Sequence, residues 1–234
     1  MKGAFYMSFL KKLTAVMLST LMLVSVAGCG EKEDNKDDNK ANLAKGDSIG
    51  EDQTLKENNM PYGATVSKVL PKENNNCRVG GEYDTRFLSE EELIMLGDYA
   101  YALSTGDTQV FESVVHPDYV KNIIQEGGYA DSADYLKKMY ESIRDTYIGE
   151  EFEFDYVLTT NCLVDEDNDF SSADIVIAEA LGDDFIKTVT TRKLVTLDFL
   201  YTLKESGGSY SLYNRQLSYI NLYIYEADGK LYIF

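Results

Sequence analysis

Residues 193–203 read KLVTLDFLYTL, and residues 217–234 read LSYINLYIYEADGKLYIF. In the first run Val195, Leu197, Phe199, Tyr201 and Leu203 recur every second residue, the period of a strand that buries one face. Thr196, Asp198 and Thr202 take the other face, to which Lys193 is also assigned, with Leu200 an apolar exception. In the second run Leu217, Tyr219, Asn221, Tyr223 and Tyr225 alternate with Ser218, Ile220, Leu222, Ile224 and Glu226. Both sets are rather apolar, so this strand is expected to lie inside a sheet, covered on each side. Asp228-Gly229 is a two-residue hairpin signal, and Lys230–Phe234 is its return strand. Gly207-Gly208 turns the chain between the two runs. The carboxyl-terminal third therefore predicts three long antiparallel strands.

Upstream the period changes. Phe152, Phe154 and Tyr156 alternate with Glu151, Glu153 and Asp155, one more half-buried strand that continues to Leu163. Before it the spacing is helical. Ser89 followed by Glu92 makes a capping box, and Leu93, Leu96, Ala100 and Leu103 form one stripe. Asp107 caps a short second helix carrying Val110, Phe111, Val114 and Val115, which His116-Pro117 interrupts. A further helix follows Ser132, with Tyr135, Leu136, Met139, Tyr140, Ile143 and Tyr147 on its apolar face and Gly149 at its end. Residues 173–181, ADIVIAEAL, suit a helix capped by Ser172 and closed by Gly182 better than a strand. Helices gathered on one face of an antiparallel sheet define an α+β domain, expected over residues 84–234. The reading is of N-terminal helices packed on a curved antiparallel sheet. Residues 61–83 read as an extended entry segment, possible as a hairpin laid on the domain.

The amino terminus has a different character. Lys2, Lys11 and Lys12 are the only charges before residue 31, and Leu13–Ala27 is wholly uncharged. This basic, apolar, small-residue order is that of a secretory signal, and its apolar run falls short of the ~20 residues a bilayer span needs. Val26-Ala27-Gly28-Cys29 resembles the lipobox of bacterial lipoproteins, with Val where Leu is commoner. The resemblance implies cleavage before Cys29, a diacylglycerol thioether on its sulfur, and a chain held on the outer face of the cytoplasmic membrane. Residues 1–28 are then a lipoprotein signal peptide. Residues 29–60, opening with the polar run GEKEDNKDDNKAN, are a flexible acidic tether, too poor in apolar side chains to offset ordering entropy.

Removing residues 1–28 takes away three lysines and no acids, leaving 19 basic against 40 acidic residues and a net charge of -21. That disfavours nucleic acid, which is held by Lys and Arg. Cys77 and Cys162 remain once Cys29 carries lipid, either paired as a disulfide or free. No CxxC pair and no nearby His supports zinc.

The domain layout resembles the cone-shaped nuclear-transport-factor-like, cystatin-like superfamily, and more narrowly small lipoproteins of Firmicutes. The residues that carry the resemblance are Tyr99–Asp107, Tyr62–Thr65, Tyr83–Leu88 and the closing Asp228–Ile233. It implies a curved sheet around a hollow, used in that superfamily by isomerases, dehydratases, cyclases and noncatalytic binders alike.

Catalytic constellations are sparse. His116 is the single histidine, a weak catalytic candidate that needs an acid such as Asp155 or Asp198 beside it. Asp165, Asp167 and Asp169 superficially resemble a calcium loop, but the sixth and twelfth positions hold Phe170 and Val176 instead of Gly and Glu. There is no G-x-G-x-x-G and no Walker A element, and no motif implies a cofactor. The tyrosines of the late strands remain, with Tyr201, Tyr219, Tyr223 and Tyr225 as candidates to line a ligand hollow. The leading expectation is a noncatalytic, membrane-anchored binding or interaction module for a small molecule, peptide, glycan or envelope protein. A small isomerase- or hydrolase-like enzyme in a cone cavity is the second reading, and an assembly role in the envelope is the third.

Overall fold

The computed structural model describes residues 66–73, 77–165, 168–216 and 219–234. The strands are β1 (Ser67–Leu70), β2 (Gly80–Asp84), β3 (Phe152–Val164), β4 (Val189–Leu203), β5 (Ser209–Ser211), β6 (Ile220–Ala227) and β7 (Lys230–Ile233). The helices are α1 (Glu90–Thr105), α2 (Thr108–Val114), α3 (Pro117–Gly127), α4 (Ser132–Ile143), α5 (Ser171–Leu181), α6 (Asp183–Thr188) and the single turn α7 (Tyr213–Gln216). A π-helical turn, Arg144–Ile148, extends α4 to Gly149.

The strands form one sheet in the order β1-β2-β3-β4-β6-β7, with β5 paired to β4 beside the start of β6. Neighbours are antiparallel except β2 and β3, which run parallel with Gly80, Gly81 and Glu82 opposite Tyr156, Val157 and Leu158. The sheet is mixed, open and uncurled, and the expectation of a curved antiparallel, cystatin-like cone is corrected. Two features overturn it. The entry segment does not lie on the domain but supplies the sheet's own edge, as the β1–β2 hairpin. The helices do not gather on one face, since α5, the helix expected over 173–181, covers Tyr225 on the face opposite the large core.

Helix boundaries follow local chemistry. Ser89 Oγ accepts from the Glu92 amide, while Glu92 Oε2 accepts from the Ser89 amide at 2.7 Å. Asp107 accepts the amides of Gln109 and Val110 at the start of α2. His116 caps α3, with Pro117 at its first position, where no amide donor is needed. At α5 the acceptor is Asp169, which takes the Ser171 amide at 2.8 Å, and not Ser172. Asp183 and Asp184 form the first turn of α6.

A large core lies between the sheet and α1, α2 and α4. Val195, Leu197, Phe199 and Tyr201 of β4 share it with Leu93, Leu96 and Ala100 of α1. A smaller core fills the opposite face at one end, where Phe170, Ala173 and Ile177 cover Tyr225. This is why β6 is apolar on both faces. A β-bulge between Phe154 and Tyr156 breaks the alternation read from sequence: Val157, not Tyr156, continues the buried row after Phe152 and Phe154.

Candidate functional site

The four candidate tyrosines do not line one hollow. Thr196 of β4 pairs with Asn221 of β6, so Tyr223 and Tyr225 fall opposite Leu194 and Arg192, on the face away from Val195. Tyr201 has the parity of Val195 and is wholly buried in the large core, its hydroxyl accepting from Arg215 Nε at 3.2 Å. Tyr225 is wholly buried on the other face. Its hydroxyl donates to Asp174 Oδ1 at 2.8 Å, and the Arg192 guanidinium lies over its ring and bonds Asp174 at 2.9 Å. Burial, followed by the Asp174 carboxylate, holds the Tyr225 phenol far above its ordinary value. It is therefore a neutral donor pinning α5 to the sheet. Tyr223 packs edge-on against Phe170. Only Tyr219 is open, 37% exposed and stacked on Tyr213 at 4.2 Å between ring centres.

His116 is enclosed by rings. Tyr232 and Phe185 meet it edge-on at 4.7 and 5.0 Å. Its Nδ1 accepts the Asp118 amide at 3.2 Å, and burial lowers its pKa. No acid meets it from the sheet. Tyr232 pairs with Tyr225, and Tyr225 with Arg192. Asp198 lies six positions further along β4, about 20 Å at the rise of a strand. Asp155 accepts from Thr202, further still along the same strand. The acid–base pair needed for the enzyme reading is not assembled.

Cys77 and Cys162 are free thiols. Cys77 is buried and points at the Val79 carbonyl, whereas burial pushes the Cys162 thiol up to about 11. Cys162 stands six residues beyond Tyr156, the partner of Gly80, and Cys77 lies three residues before Gly80. On parallel strands these offsets add to more than about 20 Å. A disulfide needs Cα atoms within about 7 Å.

In the acidic loop Asp165 faces Arg192 at 3.7 Å and Asp169 caps α5, so both carboxylates serve the fold. Among the described residues no group of three or more His, Cys, Asp or Glu is placed to hold a metal ion. Asp167, Cys29, the signal peptide, the tether and Tyr62–Thr65 lie outside the described residues. So does Gly46-Asp47-Ser48-Ile49-Gly50, whose spacing matches G-x-S-x-G. That motif acts only between a strand and a helix, and the polar residues on both sides carry neither pattern.

What sequence reading missed is the face opposite the large core, beyond the reach of α5. Register places its side chains in rows across the strands. Val69, Glu82, Leu158 and Asp198 form one row, and Gly80, Tyr156, Leu200 and Ser211 the next. Tyr156, Leu158 and Leu200 are half-buried, Val69 is exposed, and none of them packs into either core. Glu153 and Thr202 continue the face, with Asp155 beside them in the bulge. Gly80 leaves room for the Tyr156 ring, since a Cβ there would stand 3.2 Å from it. Asp198 is buried and fully engaged, accepting from the Ser211 hydroxyl at 2.5 Å and the Tyr213 amide at 2.9 Å. Asp155 differs: Thr202 donates to Oδ2, but among the described residues nothing donates to its buried Oδ1. The missing signal was the bulge, which has no mark in an alternating sequence.

The arrangement is an α+β domain with a mixed, open sheet, covered by helices on one face and only in part on the other. Compared with known proteins, the chain matches no protein-family model, no curated protein and no solved structure. No described helix is long and apolar enough to cross a membrane.

Proposed function

We propose that this chain is a noncatalytic, lipid-anchored extracytoplasmic lipoprotein whose domain acts as an interaction module. The anchor rests on the basic, apolar and small-residue order of residues 1–28 and on Val26-Ala27-Gly28-Cys29. The observation that carries the interaction reading is the uncovered sheet face, where Tyr156, Leu158 and Leu200 remain outside both cores. A wide, flat face of mixed apolar and acidic side chains offers area to a partner and no enclosed place for chemistry. His116 serves as a helix cap among aromatic rings, which supports a noncatalytic role. A role in envelope assembly is the second reading, favoured by Ile175 and Val176, which stand exposed side by side on α5.

The anchor is tested by growing the producing bacterium with labelled palmitate. The expected result is label on the wild-type chain, and none on the Cys29→Ser chain, which passes into the medium. A Cys29→Ser chain that keeps its label, or a wild-type chain that never acquires one, overturns the anchor.

A further inference from the structure

We infer that the uncovered sheet face docks an extended, Lys- or Arg-bearing polypeptide segment. The inference rests on the interaction-module reading and specifies its partner.

Three observations converge on this face. The first is charge. Glu82, Glu153 and Asp155 lie on it with the buried Asp198, and among the described residues the one ion pair any of them makes is with Lys72, 3.9 Å from Glu153, both side chains partly in water. An ion pair so exposed and so long neutralises little. The second is Asp155 Oδ1, held out of water with no donor among the described residues. A carboxylate short of donors keeps its charge poorly compensated by the fold, and ammonium and guanidinium groups brought over it compensate such a charge most strongly. The third is the apolar content between the acids. Val69, Tyr156, Leu158 and Leu200 span β1 to β4, so a partner must be apolar as well as cationic, and elongated enough to cross several strands. A small polyamine satisfies the charge but leaves those side chains wet. An extended segment that alternates basic and apolar residues matches both periods.

Asp183 and Asp184 on α6 and Glu179 on α5 are exposed acidic groups of the same protein, on the helices that pack around Tyr225 at the other end of this face. They serve as an internal control for net charge.

The test uses the full chain in detergent and a fluorescein-labelled peptide of alternating Lys and Leu, followed by anisotropy. Its partners are the same peptide with Glu for Lys, and spermine as competitor. The expected result is binding of the Lys peptide alone, weakened about tenfold by Glu82→Gln with Asp155→Asn, and again by Val69→Ser. Glu179→Gln with Asp183→Asn and Asp184→Asn is expected to leave it unchanged. Val69 is 56% exposed, so its variant keeps the fold and reads the face alone. Equal weakening by the control variant reduces the effect to net charge and overturns the proposal, as does displacement by spermine at the peptide's own concentration. Absence of peptide binding also overturns it. A photoreactive phenylalanine in place of Val69 then separates the two readings on living cells. A crosslink to a partner lacking basic segments leaves the interaction module standing without the cationic specificity, and no crosslink removes both.

Discussion

At the scale of single residues, the groups that looked most chemical serve the fold. His116 is the clearest case. As a helix cap its Nδ1 must accept the Asp118 amide, which requires the neutral ring. Burial among Phe185, Tyr232 and Phe234 lowers its pKa; Asp118 pulls it back and Lys121 adds to the lowering. The unfolded chain therefore takes up this proton at a higher pH than the folded one. Stability from this site is intact above the ordinary histidine value of about 6.5 and falls as pH drops through it toward the lowered folded value. The carboxylates whose pKa values are lowered in the fold, such as Asp84 beside Arg86 and Asp134 beside Lys138, lose their contribution only in more acidic solution. In urea titrations, the decline in stability as pH falls below about 6.5 is expected to flatten in His116→Asn, which keeps a cap acceptor without the titration. An unchanged slope would assign that decline to other groups.

At the scale of elements, the strand-forming signals were clear and the partner choice was not. Alternation marked β3, β4, β6 and β7, and Asp228-Gly229 formed its hairpin with both residues at positive φ. Gly80-Gly81 gave no strand signal, because glycine is depleted in strands. Its place follows from what surrounds it. A Cβ on Gly81 would stand 2.9 Å from both Leu93 Cδ1 and the Val157 carbonyl oxygen. Only glycine lets β2 lie this close to α1 while pairing with β3. Gly81→Ala is expected to cost about 1–3 kcal/mol in urea unfolding, because the carbonyl on one side cannot yield. Gly106→Ala, at the αL end of α1 with open space around it, is expected to cost less, about 1 kcal/mol. Equal losses would mean that the close approach at β2 is unimportant. The candidate site suffered from the same blindness. The bulge at Asp155 turns Tyr156 to the uncovered face, and a strict two-residue period assigns it to the core.

At the scale of the whole molecule, one contact ties the amino-terminal helices to the central strand. Lys193 was assigned to the polar face, but it has the parity of Val195, and its ammonium lies 2.6 Å from Glu92 Oε1 beneath α1. Glu92 is nearly out of water and also closes the capping box. Lys193→Met leaves that carboxylate unpaired and is expected to cost about 3 kcal/mol in urea unfolding. Adding Glu92→Gln, which keeps the cap acceptor, is expected to recover most of it; a double variant as unstable as the single one would show that packing, not charge, sets the loss. The sequence alone determined the local elements: the capping box at Ser89, the helical stripes, the strands of the last third and their hairpin. These depend on residues within a few positions of each other, where periodicity and backbone preference act directly. The tertiary structure decided that β2 runs parallel to β3, that α5 and α6 cover part of the second face, and that the sheet stays open. It also decided which tyrosines are buried. Those outcomes come from close approach and register between segments far apart in the chain, which no local pattern encodes.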